Sequence, residues 1–167
     1  MTETNDNEVT LEVLERQFDR IQFLFTRVDA KVNAVLAIAS GQIAIASVGV
    51  AGGNWKQLSL LFPAVLFLIS MTLTMINLYR CTFPEVKRGG GDSLVYFAQI
   101  ARLGREKYVQ RAVGCSIDEW KKDVAIQTWK TAHIAQRKFK YLKQATIFSL
   151  ASLVPWTWLL ILSTWNR

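Results

Sequence analysis

The chain is short of the residues that most chemistry requires. It has a single histidine, His133, together with two cysteines and three prolines in 167 residues. His133 stands beside lysines and arginines, and no partners for a zinc site or a Ser-His-Asp triad can be placed around it. H-E-x-x-H, C-x-x-C, the Walker loop and G-x-S-x-G are all missing. Cys81 and Cys115 carry no metal spacing and are expected to stay reduced. No enzyme activity, cofactor or metal site is therefore expected. The acidic first thirty residues lack the basic and apolar regions of a signal peptide, so the first apolar span is expected to be a retained anchor.

Charge is also missing from three stretches, 32–55, 57–79 and 144–166. Each exceeds the roughly 20 residues that a helix needs to cross about 30 Å of hydrocarbon. Buried core helices of a soluble protein need only about 10–14 apolar residues. The expected fold is an all-α membrane protein with three transmembrane helices, two of them continuing into a cytosolic helical bundle. Residues 1–31 form a cytosolic stem helix, and 32–80 form a transmembrane hairpin with spans at about 32–51 and 58–79. Residues 81–143 form a basic cytosolic helical region, and 144–167 hold the third span and the C-terminus.

What is present sets the orientation. Residues 80–143 carry 14 Lys or Arg against 6 Asp or Glu, whereas the loop after the first span has only Lys56. Basic segments stay on the cytoplasmic side, which places the N-terminus inside and the C-terminus in the periplasm. Trp55, Tyr79, Tyr141, Trp156, Trp158 and Trp165 cluster near span ends, where amphipathic rings sit well.

Leu11, Leu14, Phe18, Ile21, Phe25, Val28, Val32 and Val35 recur at spacings of three and four. This seam runs into the first span without a proline or glycine break and predicts one helix from about Val9 to Ala51. A stem of this length rises roughly 35 Å at ~1.5 Å per residue. Within the span, Ala37, Gly41 and Ala44 share one face and predict close helix approach. Gln42 near mid-membrane is expected to bond to a neighbouring helix. Gly52-Gly53-Asn54 reads as the outer turn, Pro84 as a stop after span two, and Gly89-Gly90-Gly91 as a connector. Ser93 is a candidate N-cap for a helix from Leu94 to about Val113. Ser116-Ile117-Asp118-Glu119 matches a capping box, opening a second stem helix that runs into span three. An oligomer would add to the thin core that these stems can form.

The basic residues need a cause. Attraction to anionic lipid accounts for those of 137–143, but less well for Arg102, Arg105, Lys107, Arg111 and Lys121. A cationic pocket with nearby aromatics would suit a nucleotide, held by phosphate contact and base stacking. Its candidate residues are Arg102, Arg105, Tyr96, Tyr108, Trp120, Asp123 and Gln127. Arg27, Asp29 and Lys31 sit at the mouth of span one. Asp29 can pair with Lys138 or Lys31, a candidate switch between the stems. Gln42, Thr72, Thr74 and Asn77 are candidates for polar surface exposed within the membrane.

In order and spacing the chain resembles the Pycsar transmembrane effector family of bacterial antiphage defence. Four places carry the resemblance: Arg27-Val28-Asp29-Ala30-Lys31 with Ala34 and Leu36; Pro84; Ser93 to Phe97 with Ile100, Ala101, Glu106 and Tyr108; and Asp123 and Gln127 with Ala132, Ala135 and Lys138. The resemblance implies an effector in the bacterial inner membrane. It implies activation by a cyclic pyrimidine mononucleotide from a partner cyclase, and abortive infection through damage to that membrane. A homo-oligomer in the lipid bilayer is expected from the thin core and the apolar seam of the first stem, with no nucleic-acid polymer as partner. Effectors of other nucleotide-signalling defence systems, with a different messenger, are a related possibility. The residues alone also fit a non-signalling anchor or scaffold whose basic bundle docks a protein or lipid headgroups. A small transporter subunit has less support, because no span holds a buried Asp, Glu, Lys or Arg.

Overall fold

The computed structural model describes residues 2–51, 58–83 and 93–165. Regular structure among them is entirely helical: α1 (Thr2–Ala51), α2 (Leu58–Thr82), α3 (Phe97–Ile100), α4 (Arg105–Gly114), α5 (Ile117–Ala151) and α6 (Leu153–Trp165). Three helical stretches are long and apolar enough to cross a membrane: Val9–Val48, Leu60–Thr82 and Ile117–Thr164. The chain is thus an all-α, multi-pass membrane protein. It divides into two compact units. A polar unit comprises Met1–Thr26 and Val86–Gln136, and an apolar unit comprises Arg27–Glu85 and Arg137–Arg167. Gly52-Gly53-Asn54, Trp55, Lys56, Pro84 and Gly89-Gly90-Gly91 lie outside the described residues.

The apolar unit is organised by the seam of α1. Val28, Val32 and Val35 are buried against Leu78 and Cys81 of α2 and Leu142 and Ala145 of α5. The same heptad spacing carries the buried face to Ala39, Gln42 and Ala46. Ala39 and Ala46 pack against Phe67 and Met71 of α2, with Trp156 of α6 alongside. Helix association in lipid rests on packing and hydrogen bonds, because tails are as apolar as the side chains that leave them. Fully enclosed small residues such as Ala39 are therefore structural requirements.

Ala37, Gly41 and Ala44 do not make the expected close contact. All three are exposed, and a Cβ on Gly41 would meet nothing within 4 Å. Small residues permit close approach but do not direct it. The β-branched seam directs it, and it lies on another face of α1.

Two further expectations are corrected. The helix expected over 94–113 is two helices, α3 and α4, with extended backbone at Gly104 between them. The third span is interrupted at Ser152, where α5 ends and α6 begins. Pro155 explains the break, since it has no N–H for the carbonyl four residues earlier and its ring crowds that carbonyl. The Ser152 hydroxyl lies 2.6 Å from the Ser149 carbonyl, and the Trp156 N–H donates to the Ser152 carbonyl at 3.0 Å.

The capping box is present as read. The Ser116 N–H donates to Glu119 Oε2 at 3.1 Å, and the Glu119 N–H donates to Ser116 Oγ at 3.3 Å. Hydrogen bonding to the carboxyl, from the Ser116 N–H first and then from the Ser116 side chain, holds Glu119 below the usual carboxylate range.

Ala39→Leu overpacks the α1–α2 contact and is expected to cost about 1–3 kcal/mol. Ala37→Leu, on the exposed face, is expected to leave stability unchanged. Thermal unfolding in detergent, followed by circular dichroism, separates the two.

Candidate ligand site

The segment before α3 is shaped by a side chain thirty residues away. Oδ2 of Asp123 on α5 accepts from the Ser93 hydroxyl at 2.9 Å, the Leu94 N–H at 2.7 Å and the Val95 N–H at 3.3 Å. Ser93 Oγ accepts in turn from the Val95 and Tyr96 N–H groups at 3.2 and 3.0 Å. The Ser93 N–H donates to Gln99 Oε1 at 2.6 Å. Side chains thus satisfy the backbone donors that a helix starting at Leu94 would leave unpaired, and residues 93–96 form a turn. Ser93 stabilises that turn and does not cap α3, whose N-cap is Tyr96 with no side-chain bond.

Beside this turn, α4 and α5 enclose a cavity of about 580 Å³ within the polar unit. Arg111, Lys122 and Lys130 supply three cations to its lining, against the carboxylates of Glu119 and Asp123. Leu94 and Ile126 make apolar wall. Gln127 also lines it. That residue is only 4% exposed, yet its amide has no hydrogen-bond partner among the described residues. An unpaired amide facing a cavity is a feature that a polar ligand or water would satisfy. The volume falls in the range of small-molecule pockets, roughly 300–1,000 Å³. Cys115 lies at the same edge; partial burial and then the Glu119 carboxylate push its thiol up, which keeps it protonated and a poor nucleophile near neutral pH.

Of the seven residues singled out for a ligand, Asp123 and Gln127 line this cavity. The other five lie outside it. Arg102 is exposed between α3 and α4, and Arg105 is the exposed first residue of α4. Tyr96 packs on Phe97, with ring centres 5.1 Å apart. Tyr108 is half-buried. Trp120 donates its indole N–H to Glu15 of α1 at 3.2 Å. Trp129 stacks against His133 at 4.1 Å, and His133 Nδ1 lies 3.0 Å from the Trp129 carbonyl. No aromatic ring lines the cavity. Arg111, Lys122 and Lys130 were legible as basic residues but not as a group. The missed signal is spacing: 119, 122, 123, 126, 127 and 130 fall on one face of a 3.6-residue helix.

The apolar unit holds the other candidates. Lys138 of α5 pairs with Asp29 of α1 at 2.9 Å, so of the two partners considered for Asp29 the structure selects Lys138. The Lys138 side chain is 10% exposed and that of Asp29 is 55% exposed. The buried Cys81 thiol donates to the Lys138 carbonyl at 3.3 Å. Arg27 and Lys31 are exposed on α1. Gln42 is buried; its Oε1 lies 3.2 Å from the Ser152 hydroxyl, and its carbonyl accepts the Trp156 indole N–H at 3.0 Å. This is the interhelical bond expected of a mid-membrane amide. Its Nε2 is buried without a partner. The opposite amide rotamer lets Nε2 donate to Ser152 Oγ, with the Ser152 proton going to Ser149, and leaves Oε1 as the buried atom without a partner. Thr74 and Asn77 are buried and bond to the Ser70 and Leu73 carbonyls of their own helix, whereas Thr72 is exposed.

A family model described as the Pycsar effector protein domain matches residues 13–165, nearly the whole chain. No curated protein and no solved structure matches it.

Removing one partner of the Asp29–Lys138 pair strands the less exposed ammonium, whereas removing the buried charge itself does not. Asp29→Ala is therefore expected to lower the melting temperature in detergent by more than Lys138→Met does. Equal losses would mean that the pair contributes packing only.

Proposed function

This chain belongs to the Pycsar effector family, and from that premise we propose that it senses a cyclic pyrimidine mononucleotide in the cavity beside Asp123 and Gln127. Its response is to compromise the bacterial inner membrane, so that an infected cell stops before phage matures. Family membership makes it a membrane effector of a cyclic-nucleotide-signalling antiphage system. The observation that carries the ligand reading is the cavity itself: three cations and the Gln127 amide, which makes no hydrogen bond among the described residues, line one concave site. A cyclic nucleotide has one phosphodiester anion for the cations and a base edge for the amide.

The protein's own part is binding and conformational response, without a catalytic step. A ligand shifts an equilibrium only through different affinity for its two states. α1 and α5 each contribute residues to both units. A rearrangement around the cavity would therefore pass along the same helices that carry Asp29, Gln42 and Lys138. Breaking the Asp29–Lys138 pair and the Gln42–Ser152 contact would release polar groups toward the membrane interior, together with Thr72, Thr74 and Asn77. On this reading the polar unit and the N-terminus face the cytosol, and the C-terminus faces the periplasm. The outward Ala37, Gly41 and Ala44 suit contact with a second copy, which favours a homo-oligomer.

Purified protein in dye-loaded liposomes, challenged from outside with a panel of cyclic mono- and oligonucleotides, tests the proposal. Dye release by a cyclic pyrimidine mononucleotide alone is expected. Gln42→Leu is expected to insert normally and release less dye. Silence across the panel, with protease access to 80–143 confirming orientation, would overturn the proposal in favour of a membrane anchor or scaffold.

A further inference from the structure

Asp123 and Gln127 stand four residues apart on α5 and both line the cavity, so they lie one above the other on the same helix face. Their hydrogen-bonding capacities differ. Gln127 offers one acceptor and two donors, none of them used among the described residues. A half-turn of the amide exchanges its donor and acceptor, so alone it can pair with a cytosine edge (amino donor, ring-nitrogen acceptor) or a uracil edge (oxo acceptor, imide donor). An ionised Asp123 only accepts. Its Oδ2 is occupied by Ser93, Leu94 and Val95, and Oδ1 makes no hydrogen bond among the described residues. An acceptor-only group beside a two-way amide removes the ambiguity. It attracts an exocyclic amino group and repels an exocyclic oxygen, the same logic by which carboxylates select the cytosine amino group in nucleic acids.

We infer that Asp123 and Gln127 form a base-reading pair that selects an amino-bearing cytosine edge over a uracil edge, while Arg111, Lys122 and Lys130 hold the phosphate irrespective of base. The inference rests on the cavity being the nucleotide site. The lining contains no aromatic ring, so discrimination comes from the base edge and not from stacking. Asp123 has two tasks here, since one oxygen holds the 93–96 turn and the other reads the base. Asn at this position keeps an acceptor for the turn and presents a donor in place of the free oxygen.

The test is calorimetric titration of the full chain in lipid nanodiscs with 3′,5′-cyclic CMP and 3′,5′-cyclic UMP. Wild type is expected to bind cyclic CMP about tenfold more tightly. Asp123→Asn is expected to erase or reverse that ratio. Gln127→Leu is expected to weaken both ligands about tenfold with an unchanged melting temperature, because the amide makes no hydrogen bond among the described residues. A purely structural Gln127 would instead lower the melting temperature and spare affinity. Binding of both nucleotides with no preference in wild type, or an unchanged ratio in a folded Asp123→Asn, overturns the base-reading pair while the nucleotide site stands. Binding of neither nucleotide to wild type overturns the site and the inference together. If Asp123→Asn does not fold, the wild-type ratio and Gln127→Leu still decide.

Discussion

A peptide group in hydrocarbon has no water to bond, so each N–H and C=O that enters the bilayer must find its partner inside the protein. That constraint accounts for most of this chain. It explains why the charge-free stretches are helical. It also makes the single break in the third span costly. Pro155 deprives a carbonyl of its donor, and polar groups gather at the same level: Ser152, the Ser149 carbonyl, the Gln42 amide and the Trp156 indole. Gln42 joins α1 to α6 at the point where α6 is least able to satisfy itself.

The polar unit answers the same backbone requirement differently. There the N–H groups of Leu94 and Val95 are satisfied by one carboxylate from a distant part of the chain. Asp123 thereby fixes a turn against α5 and forms part of a cavity wall that also holds the unpaired Gln127. Arg111, Lys122 and Lys130 make the site attractive to an anion, and Glu119 and Asp123 keep it from being uniformly cationic. Such a mixture suits a ligand with one negative charge and a hydrogen-bonding edge better than a polyanion, and a membrane effector that waits for a small cyclic nucleotide would need that distinction.

The sequence revealed what repeats and concealed what is brought together across distance. The seam from Leu11 to Val35, the three uncharged stretches and the Ser116 capping box each follow from spacing within one helix, and each is legible from local chemistry. Ser93 misled because its neighbours' N–H groups go to Asp123, a partner that no local pattern announces. Ala37, Gly41 and Ala44 did not reveal which neighbour they face, because small size permits contact without choosing its direction. Within the candidate site, Asp123 and Gln127 were singled out beforehand. The cations that join them were not, because basic residues abound and only the packing of α4 against α5 decides which of them share a cavity. The Asp29–Lys138 pair was one of two partnerships open to Asp29; the burial of Lys138 in the closed apolar unit distinguishes it from the exposed Lys31.

Family membership makes the chain an effector of nucleotide signalling, and span number and helical architecture make it a membrane protein. The central claim is where the nucleotide sits. A photoreactive cyclic pyrimidine nucleotide, crosslinked to the full chain in native membranes and mapped by mass spectrometry, tests it directly. Labelling confined to residues 110–130 and the 93–96 turn, and competed by unmodified ligand, is the predicted result. Competed labelling centred on Arg102 to Tyr108, or within the membrane spans, would contradict it.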